Sequence, residues 1–149
     1  MRLVIQRVKS SSVRVAGETV SSIGKGLLVF AGSQEGDGDA DIRFCAEKIR
    51  GLRIFEDENE KMNLSVADVG GEVLLVSQFT LLGDARRGRR PSFSSAEPPE
   101  TARDTFDRLA DAVRETGLPV QTGVFRAHME VTLLNDGPVT ILLDSRRTF

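Results

Sequence analysis

The Gly137–Pro138 pair near the C-terminus constrains the fold more than any other feature of the chain. It lies between two segments rich in β-branched and aliphatic residues, 129–134 and 141–143, so the pattern predicts two strands joined by a tight turn. Proline has no N–H group to donate to a sheet, which restricts it to an edge, a strand start or a bulge. Two interpretations remain open: a plain proline-containing hairpin turn, or a rigid surface of two bare carbonyl groups that discriminates ligands by shape.

Strand patterns fill most of the chain. Alternating apolar and polar residues at 2–8, 12–16 and 19–23 predict a β-meander that opens the domain. The continuous apolar run Leu27–Gly32 predicts a central strand buried on both faces. Another buried strand is predicted at 72–81, although its end turns polar within an apolar context.

Helical spacing of apolar residues occurs in two segments. The first is predicted to begin at a capping Asp39, and the second at Pro98–Pro99, since proline is tolerated in the first helical turn. Their core-facing residues are Ile42, Cys45, Ala46, Ile49 and Leu52 in the first helix, and Ala102, Phe106, Leu109 and Val113 in the second. Because the helices are few and do not alternate strictly with strands, the pattern predicts an α+β fold. We expect one domain over residues 1–149, with a β-rich mixed or antiparallel sheet or a partial barrel.

The composition excludes several kinds of site. One cysteine, Cys45, leaves no internal disulfide, and one histidine, His128, leaves no histidine-rich metal site, so neither a metal nor another cofactor is expected. A net charge of −2 argues against broad nucleic-acid binding, but not against a local patch that grips one short RNA end. No apolar run approaches the roughly 20 residues that span a bilayer. The chain also opens on a strand pattern rather than a signal sequence, which predicts a cytoplasmic protein without membrane contact.

Two polar segments interrupt this ordinary globular pattern. Ser77, Gln78 and Thr80 lie where a core strand normally continues with aliphatic residues. They indicate either a sheet edge whose hydroxyl groups satisfy the nearby backbone or a binding site. Arg86–Arg90 is the only dense basic run, which is typical either of a solvated loop or of an electrostatic contact for phosphates.

The chain resembles the D-aminoacyl-tRNA deacylases over essentially its whole length. The matching motifs are Ile5–Val8, Lys61–Leu64, Ser77–Leu81, Arg90–Phe93 and Asn135–Thr140. Ser-Gln-Phe-Thr together with Asn-x-Gly-Pro-x-Thr is a specific signal in a chain of this size, whereas either motif alone is weak. The resemblance implies hydrolysis of the ester bond of D-aminoacyl-tRNA, a chiral proofreading reaction. A pocket that excludes side chains on one side should admit glycine, so some activity on glycyl-tRNA mischarged on the alanine tRNA is also expected, although the sequence does not decide it. No cofactor is implied.

The same resemblance implies a homodimer with a site shared between the two subunits. The Gly137–Pro138 peptide bond would be cis and would reach into the partner subunit's pocket. Its carbonyl groups would hold the amino group of the D-aminoacyl moiety, and its backbone would leave no space for an L side chain. Arg7 would brace this loop. The pocket residues that meet the ester and the 3′-terminal adenosine would be Ser77, Gln78, Phe79 and Thr80, with Phe125 and Met129 as further walls.

Two positions depart from the family pattern. Arg126 stands where a small residue is usual, and His128 stands where aspartate is common. An inward-pointing Arg126 would disturb the pocket roles implied for Phe125 and Met129, whereas an outward-pointing one adds a positive charge near the RNA. The Ser-Gln start of the first motif favours the D-specific branch over related deacylases, which carry Pro-Gln there and a trans Gly-Pro.

The chemistry that these residues predict is modest. An aminoacyl ester is already activated, so its hydrolysis needs positioning and a polarised carbonyl more than a strong base. A Ser-His-Asp triad is not expected, because the single histidine lies one residue before the strand predicted at 129–134 and the chain has no Gly-x-Ser-x-Gly elbow. Two routes remain: Thr80 attacks as a nucleophile, or backbone N–H groups near Phe79–Thr80 polarise the carbonyl while the ribose 2′-OH assists. The resemblance favours the second route.

Two other functions compete with this prediction. A non-catalytic nucleic-acid-binding protein would use Arg86–Arg90 as its contact and would retain nucleic-acid affinity without ester turnover. An L-specific deacylase of mischarged tRNA would differ in the chirality of the substrate that it hydrolyses. The sequence leaves open which D-amino acids and tRNAs are preferred, and whether Thr80 acts chemically or only positions the substrate.

Overall fold

The computed structural model describes residues 1–149 as eight strands, two α-helices and one short 3-10 helix. The strands are β1 (Arg2–Val15), β2 (Glu18–Ile23), β3 (Gly26–Gly32), β4 (Phe55–Glu56), β5 (Met62–Leu64), β6 (Glu72–Ser77), β7 (Val120–Thr122) and β8 (Glu130–Asp144). The helices are α1 (Asp39–Gly51) and α2 (Pro99–Glu115), and the 3-10 helix covers Phe79–Leu82. This arrangement confirms the predicted α+β class with two main helices.

Six strands form one mixed sheet, in which β1 is central. The order is β2-β1-β3-β6-β7, and β8 pairs with β1. Strand β1 is antiparallel to β2, β3 and β8, whereas β3, β6 and β7 run parallel to one another. Parallel neighbours need a crossover, and here α1 lies between β3 and β6 in the chain, while α2 lies between β6 and β7. The carboxyl ends of three parallel strands therefore meet at one edge of the sheet.

Strands β3 and β6 are buried on both faces, as the apolar run Leu27–Gly32 predicts. On one face, Leu27 and Val29 pack in the main core with α1 and α2. On the other face, Leu28 joins a second cluster that also contains Val8 and Leu74. Each fully buried aliphatic side chain of this size contributes roughly 1.5–3 kcal/mol. Neither helix is long and apolar enough to cross a membrane.

The predicted C-terminal hairpin is wrong, because β8 is one continuous strand. Both of its halves pair antiparallel with β1: Gln6 is opposite Thr140, and Val8 is opposite Asn135. Residues 136–139 therefore lie opposite Arg7 alone and form a bulge in the strand. Proline cannot donate to a ladder, and a bulge accommodates it as well as a turn does. The Gly137–Pro138 peptide bond within this bulge is cis.

Three smaller predictions also need correction. Asp39 is the first residue of α1 rather than its cap; Gly38 holds the cap position, and its N–H donates to the Asp41 carboxylate at 2.9 Å. The segments 2–8 and 12–16 belong to the single strand β1. Strand β6 ends at Ser77 instead of continuing to residue 81, because the chain turns there into the 3-10 helix.

Candidate active site

A cavity of about 670 Å³ opens at the carboxyl ends of the parallel strands. Its lining comes from the ends of β3 and β6 and from the segment that follows β7. These residues are Ala31, Gly32 and Ser33; Val76, Ser77, Gln78 and Phe79; and Phe125, Arg126, Ala127, His128 and Met129. In open sheets with parallel strands, this edge is the usual place for ligand binding, because backbone groups and loop side chains converge there.

The opposite wall of the cavity comes from α2 and the segment before it. Ala102, Phe106 and Leu109 line it from one face of the helix, at the spacing of three and four residues that brings helical side chains together. Phe93 lines the cavity together with Phe79, and their rings meet edge to face with centroids 5.2 Å apart. The cavity is therefore walled largely by aromatic and aliphatic groups, which suits a flat apolar ring.

The end of β3 fixes the position of the Ser77–Thr80 segment. The N–H of Gln78 donates to the carbonyl of Ala31 at 2.8 Å. A Cβ atom at Gly32 would lie 2.6 Å from the carbonyl oxygen of Gln78, so this close approach requires glycine. Ser77, Gln78 and Phe79 are thereby held against the cavity by main-chain contacts rather than by flexible side chains.

Thr80 lies outside the lining of the cavity, on the exposed surface of the 3-10 helix. The side-chain amide of Gln78 donates a hydrogen bond to its hydroxyl group. A general base has to accept the proton of a nucleophilic hydroxyl, and an amide N–H group does the opposite. This contact holds Thr80 and Gln78 in a fixed relationship, and it does not activate the hydroxyl for attack.

Phe125 and Met129 both line the cavity. The ring of Phe125 packs against that of Phe106 with centroids 6.4 Å apart. Arg126, between them, has a φ of 64° in the left-handed region and is exposed. Arg126 lies at the rim of the cavity, and Phe125 and Met129 still line its wall. An arginine at position 126 is therefore compatible with the pocket roles expected for these two residues. His128 is likewise exposed at the rim.

The Gly137–Pro138 bulge lies elsewhere on the chain and contributes nothing to the lining of this cavity. Both residues are exposed, while the facing Arg7 is only 5% exposed. The Nε atom of Arg7 donates to the carbonyl of Asp136 at 2.9 Å, and its Nη1 atom donates to the carbonyl of Ile54 at 2.6 Å. A buried guanidinium group thus ties the base of the bulge to the segment that precedes β4. Within one chain, the two sequence motifs remain apart.

The basic loop at 86–90 contains two kinds of arginine. Arg86 is paired: its Nε and Nη2 atoms donate to the two carboxylate oxygens of Asp84 at 2.9 and 2.6 Å. These hydrogen bonds from Arg86 hold the pKa of Asp84 well below its usual range. Arg87, Arg89 and Arg90 are exposed, and none of them has a carboxylate within salt-bridge distance.

Sequence reasoning missed Glu97, which lines the cavity just before α2. One carboxylate oxygen, Oε1, accepts a hydrogen bond from the hydroxyl of Thr105 at 3.0 Å. The other oxygen, Oε2, is buried and has no hydrogen-bond partner. No motif contains this residue, so only its position before Pro98–Pro99 hinted that it lies near a helix start.

Comparison with known proteins places these motifs in a family. The sequence profile of the family described as D-Tyr-tRNA(Tyr) deacylase matches residues 4–144. Proteins named D-aminoacyl-tRNA deacylase from Anaeromyxobacter dehalogenans and Thermotoga petrophila are 59% and 57% identical to the chain, each over 100% of both sequences. Both relatives are therefore similar to this chain from end to end.

Two solved structures have the same fold. One, named "c-Myc DNA Unwinding Element Binding Protein", is 40% identical with a TM-score of 0.91, and the match covers 97% of this chain and 98% of that one. The other, described as a probable eukaryotic D-amino acid tRNA deacylase, has a TM-score of 0.79 at 18% identity, covering 95% of this chain and 97% of that one. The second likeness concerns the fold alone. Together with the profile match and the full-length relatives, the motifs establish that this chain belongs to the D-Tyr-tRNA(Tyr) deacylase family.

Proposed function

We propose that this protein hydrolyses the ester bond of D-aminoacyl-tRNA and releases the D-amino acid and free tRNA. The observation that carries the proposal is the identity of 59% over the whole chain to a relative named for this activity. The protein is thus an enzyme, a carboxylic ester hydrolase, as the sequence predicts. We place the reaction in the cytoplasm, in one domain that spans residues 1–149 and binds the 3′ end of tRNA.

The proposed chemistry needs no side-chain base. Ser77, Gln78 and Phe79 position the ester at the sheet edge, and the Thr80 hydroxyl is held by the Gln78 amide. The first residues of a helix have N–H groups without an intrahelical partner. The N–H groups near Phe79, which lines the cavity, and Thr80, which follows it, are proposed to polarise the ester carbonyl. The ribose 2′-OH of the terminal adenosine then supplies the missing catalytic group.

Selection of the D-enantiomer is proposed to require a second copy of the chain. Strand β8 pairs only with β1, so its other edge has a row of unpaired backbone groups along 15 residues. Leu134 and Leu142 on this strand are 57% and 59% exposed. An exposed edge with apolar side chains suits pairing between two copies, in an arrangement where each contributes the same surface.

In this homodimer, Gly137–Pro138 of one subunit enters the cavity of the other. Its carbonyl groups accept hydrogen bonds from the α-ammonium group of the substrate, and its backbone occupies the space that an L side chain needs. Phe125 and Met129 form further walls, and Arg7 holds the bulge. Glycine has no side chain to exclude, so glycyl-tRNA mischarged on the alanine tRNA is also expected to be a substrate.

A deacylation time course on matched D- and L-tyrosyl-tRNA tests the proposed activity. Fast release of D-tyrosine with little release of L-tyrosine above the spontaneous rate is expected. Comparable rates on both esters would remove the chiral assignment, and preference for the L-ester would make the protein an L-specific deacylase of mischarged tRNA.

Nucleic-acid binding without catalysis is the second candidate function. It is favoured by the printed name of the solved structure that is 40% identical, which refers to DNA binding. The free arginines of the loop at 86–90 would form the contact. This function predicts comparable affinity for DNA and tRNA and no ester turnover, so the same time course separates it from the deacylase.

A further inference from the structure

We propose that Glu97 determines specificity for the 3′-terminal base, by accepting a hydrogen bond from the amino group of adenine. This inference rests on the proposed function, since it concerns the end of the tRNA that enters the cavity. The roles proposed for the Ser77–Thr80 segment and the Gly137–Pro138 bulge do not include the Glu97 carboxylate, and this inference gives it one.

The main chain holds Glu97 firmly at the cavity wall. Its N–H group donates to the carbonyl of Ser33 at 3.0 Å, and the N–H of Glu35 donates to the carbonyl of Ser95 at 3.1 Å. An antiparallel bridge joins Gln34 and Ala96 between these two bonds. The segment that carries Glu97 is therefore fixed to the continuation of β3, and Pro98 follows directly with restricted backbone freedom.

The carboxylate of Glu97 has one satisfied oxygen and one unsatisfied oxygen. Oε1 accepts the hydroxyl hydrogen bond of Thr105, a residue buried on α2. Oε2 is buried without a donor, and no basic side chain lies within salt-bridge distance of this carboxylate. A buried oxygen without a partner is unfavourable, and a ligand that brings a donor removes this penalty. Glu97 lines the cavity, and the terminal torsion of a glutamate side chain has a broad range, so the proposal requires only a rotation of this carboxylate to present Oε2 to a ligand.

The cavity that Glu97 lines also has aromatic walls, against which a flat ring can stack. Phe106 and Phe125 pack together on one side, and Phe93 and Phe79 meet edge to face. Bases stack readily on aromatic side chains, whatever their sequence. A stacked base that also presents a hydrogen-bond donor at its edge satisfies both the aromatic walls and the free oxygen of Glu97.

Among the groups of the substrate, adenine is the one that matches. The α-ammonium group is assigned to the carbonyls of Gly137 and Pro138, and the ribose hydroxyl groups adjoin the ester at Ser77–Phe79. The amino-acid side chain differs between substrates, so a fixed carboxylate there would select basic amino acids. The exocyclic amino group of the terminal adenine is present in every tRNA, and glutamate accepts hydrogen bonds from base amino groups.

The test compares D-tyrosyl-tRNA that ends in adenosine with the same ester ending in purine riboside, which lacks only the amino group. For the wild-type enzyme, kcat/KM is expected to fall about 10- to 100-fold on purine riboside, because a buried acceptor then stays unpaired. Glu97→Ala is expected to lower kcat/KM on adenosine and to bring the two substrates within about threefold of each other. Glu97→Gln keeps an acceptor oxygen and is expected to retain most of the preference. Thr105→Val, which removes the supporting hydrogen bond, is the matched control and is expected to retain the preference in part.

Equal rates of the wild-type enzyme on the two esters would overturn the inference, as would an unchanged preference in Glu97→Ala. Glu97→Ala could instead change the ratio of kcat/KM between D-tyrosyl and D-lysyl esters and leave the base preference unchanged. That result would also overturn the inference and would place Glu97 beside the amino acid. The dissociation constants of 3′-D-tyrosylamino-3′-deoxyadenosine and its purine analogue give the same comparison without turnover. A wild-type enzyme that binds both analogues yet hydrolyses no D-ester would contradict the proposed function, while the ratio of the two constants still decides the role of Glu97.

Discussion

The Nε atom of Arg7 donates a 2.9 Å hydrogen bond to the carbonyl oxygen of Asp136, the residue immediately before the Gly137–Pro138 bulge. The two residues are 129 positions apart in the chain and adjacent in the sheet, because β1 and β8 pair along almost their whole length. A second bond from Arg7 to the carbonyl of Ile54 fixes the guanidinium group from the other side. These two hydrogen bonds fix the position of the backbone at Asp136, and with it the carbonyl groups of Gly137 and Pro138 that follow.

Arg7→Lys is expected to lower activity and stability together. Lysine keeps the charge but lacks the planar fork that reaches both Asp136 and Ile54, so at least one buried carbonyl loses its donor. The free energy of unfolding is expected to fall by about 1.5–3 kcal/mol, measured by urea denaturation. The value of kcat/KM on D-tyrosyl-tRNA is expected to fall by at least about tenfold, or ~1.4 kcal/mol, through a looser bulge. Arg14→Lys, on an exposed arginine of the same strand, is the control; wild-type kinetics in Arg7→Lys would contradict the bracing role.

Gly137→Ala is expected to abolish most activity, because a methyl group then lies where the backbone meets the substrate. A Cβ atom at this position would also lie 2.5 Å from Nδ2 of Asn135, so a clash inside the subunit offers a rival explanation. The double variant Asn135→Ala/Gly137→Ala tests this rival, since it removes the 2.5 Å contact and leaves the methyl group, whose remaining close contact inside the subunit is the backbone N of Val139 at 3.1 Å. Continued loss in the double variant, with Asn135→Ala alone active, supports substrate contact; recovery of turnover assigns the effect to packing. Size-exclusion chromatography checks that all three variants keep the same oligomeric state.

The arginines at 86–90 are expected to contribute unequally to tRNA binding. Arg87, Arg89 and Arg90 are free, whereas Arg86 is held by two hydrogen bonds to the Asp84 carboxylate, and these bonds lower the pKa of Asp84. Replacing Arg89 and Arg90 by alanine is expected to lower the slope of log K against log salt by about 0.7–0.9 per lost phosphate contact. Arg86→Ala, the matched control, is expected to change the slope much less. Equal slopes in all variants would mean that the loop is simply solvated.

Thr80→Ala is expected to keep substantial activity, with a loss of about tenfold, or ~1.4 kcal/mol, through looser positioning of Gln78. The reason is that the Gln78 amide donates to the Thr80 hydroxyl and leaves it without a base. A substrate ending in 2′-deoxyadenosine, with the amino acid on the 3′-oxygen, is expected to bind nearly as well and to turn over very slowly. Single-turnover rates separate binding from chemistry in this comparison. An inactive Thr80→Ala enzyme, combined with normal hydrolysis of the deoxy substrate, would mean that the protein supplies the nucleophile.

The fold was predictable where one local signal dominates. The apolar run Leu27–Gly32 identifies a strand buried on both faces, and Pro99 identifies the first turn of α2. The region at 135–140 was not, since a glycine–proline pair between two strand patterns fits a hairpin turn and a bulge equally well. Only the long-range pairing of both flanks with β1 decides between them, and no local pattern contains that information.

In the candidate site, too, residues in a local motif were predictable, whereas a residue placed by a long-range contact was not. Ser77, Gln78, Phe79 and Thr80 were expected in a pocket because they form a motif; the first three line the cavity, whereas Thr80 lies outside its lining. Glu97 belongs to no motif, and its place in the wall follows from the bridge between Gln34 and Ala96, a contact distant in sequence. Local residue patterns alone do not reveal that the two motif regions lie apart within one chain; before the structure, only the family resemblance implied it.

Chiral selection by this enzyme, as proposed, depends on the two halves of the site meeting across a homodimer. Two variants are mixed in equal amounts and allowed to exchange subunits. One is Gly137→Ala, with a damaged bulge, and the other is Gln78→Ala/Phe79→Ala, with a damaged cavity. Each heterodimer then has one site with both lesions and one site with none. The control is a single chain that carries all three substitutions, mixed with the wild-type protein.

The measurement is the rate of D-tyrosyl-tRNA deacylation by the exchanged mixture, relative to the wild-type enzyme at equal subunit concentration. A site shared between subunits predicts that two nearly inactive variants recover about a quarter of the wild-type rate at random exchange, and that the control mixture also retains only about a quarter. A mixture that stays inactive, with a control mixture that retains about half of the wild-type rate, would place the whole site within one chain and contradict a site shared between subunits.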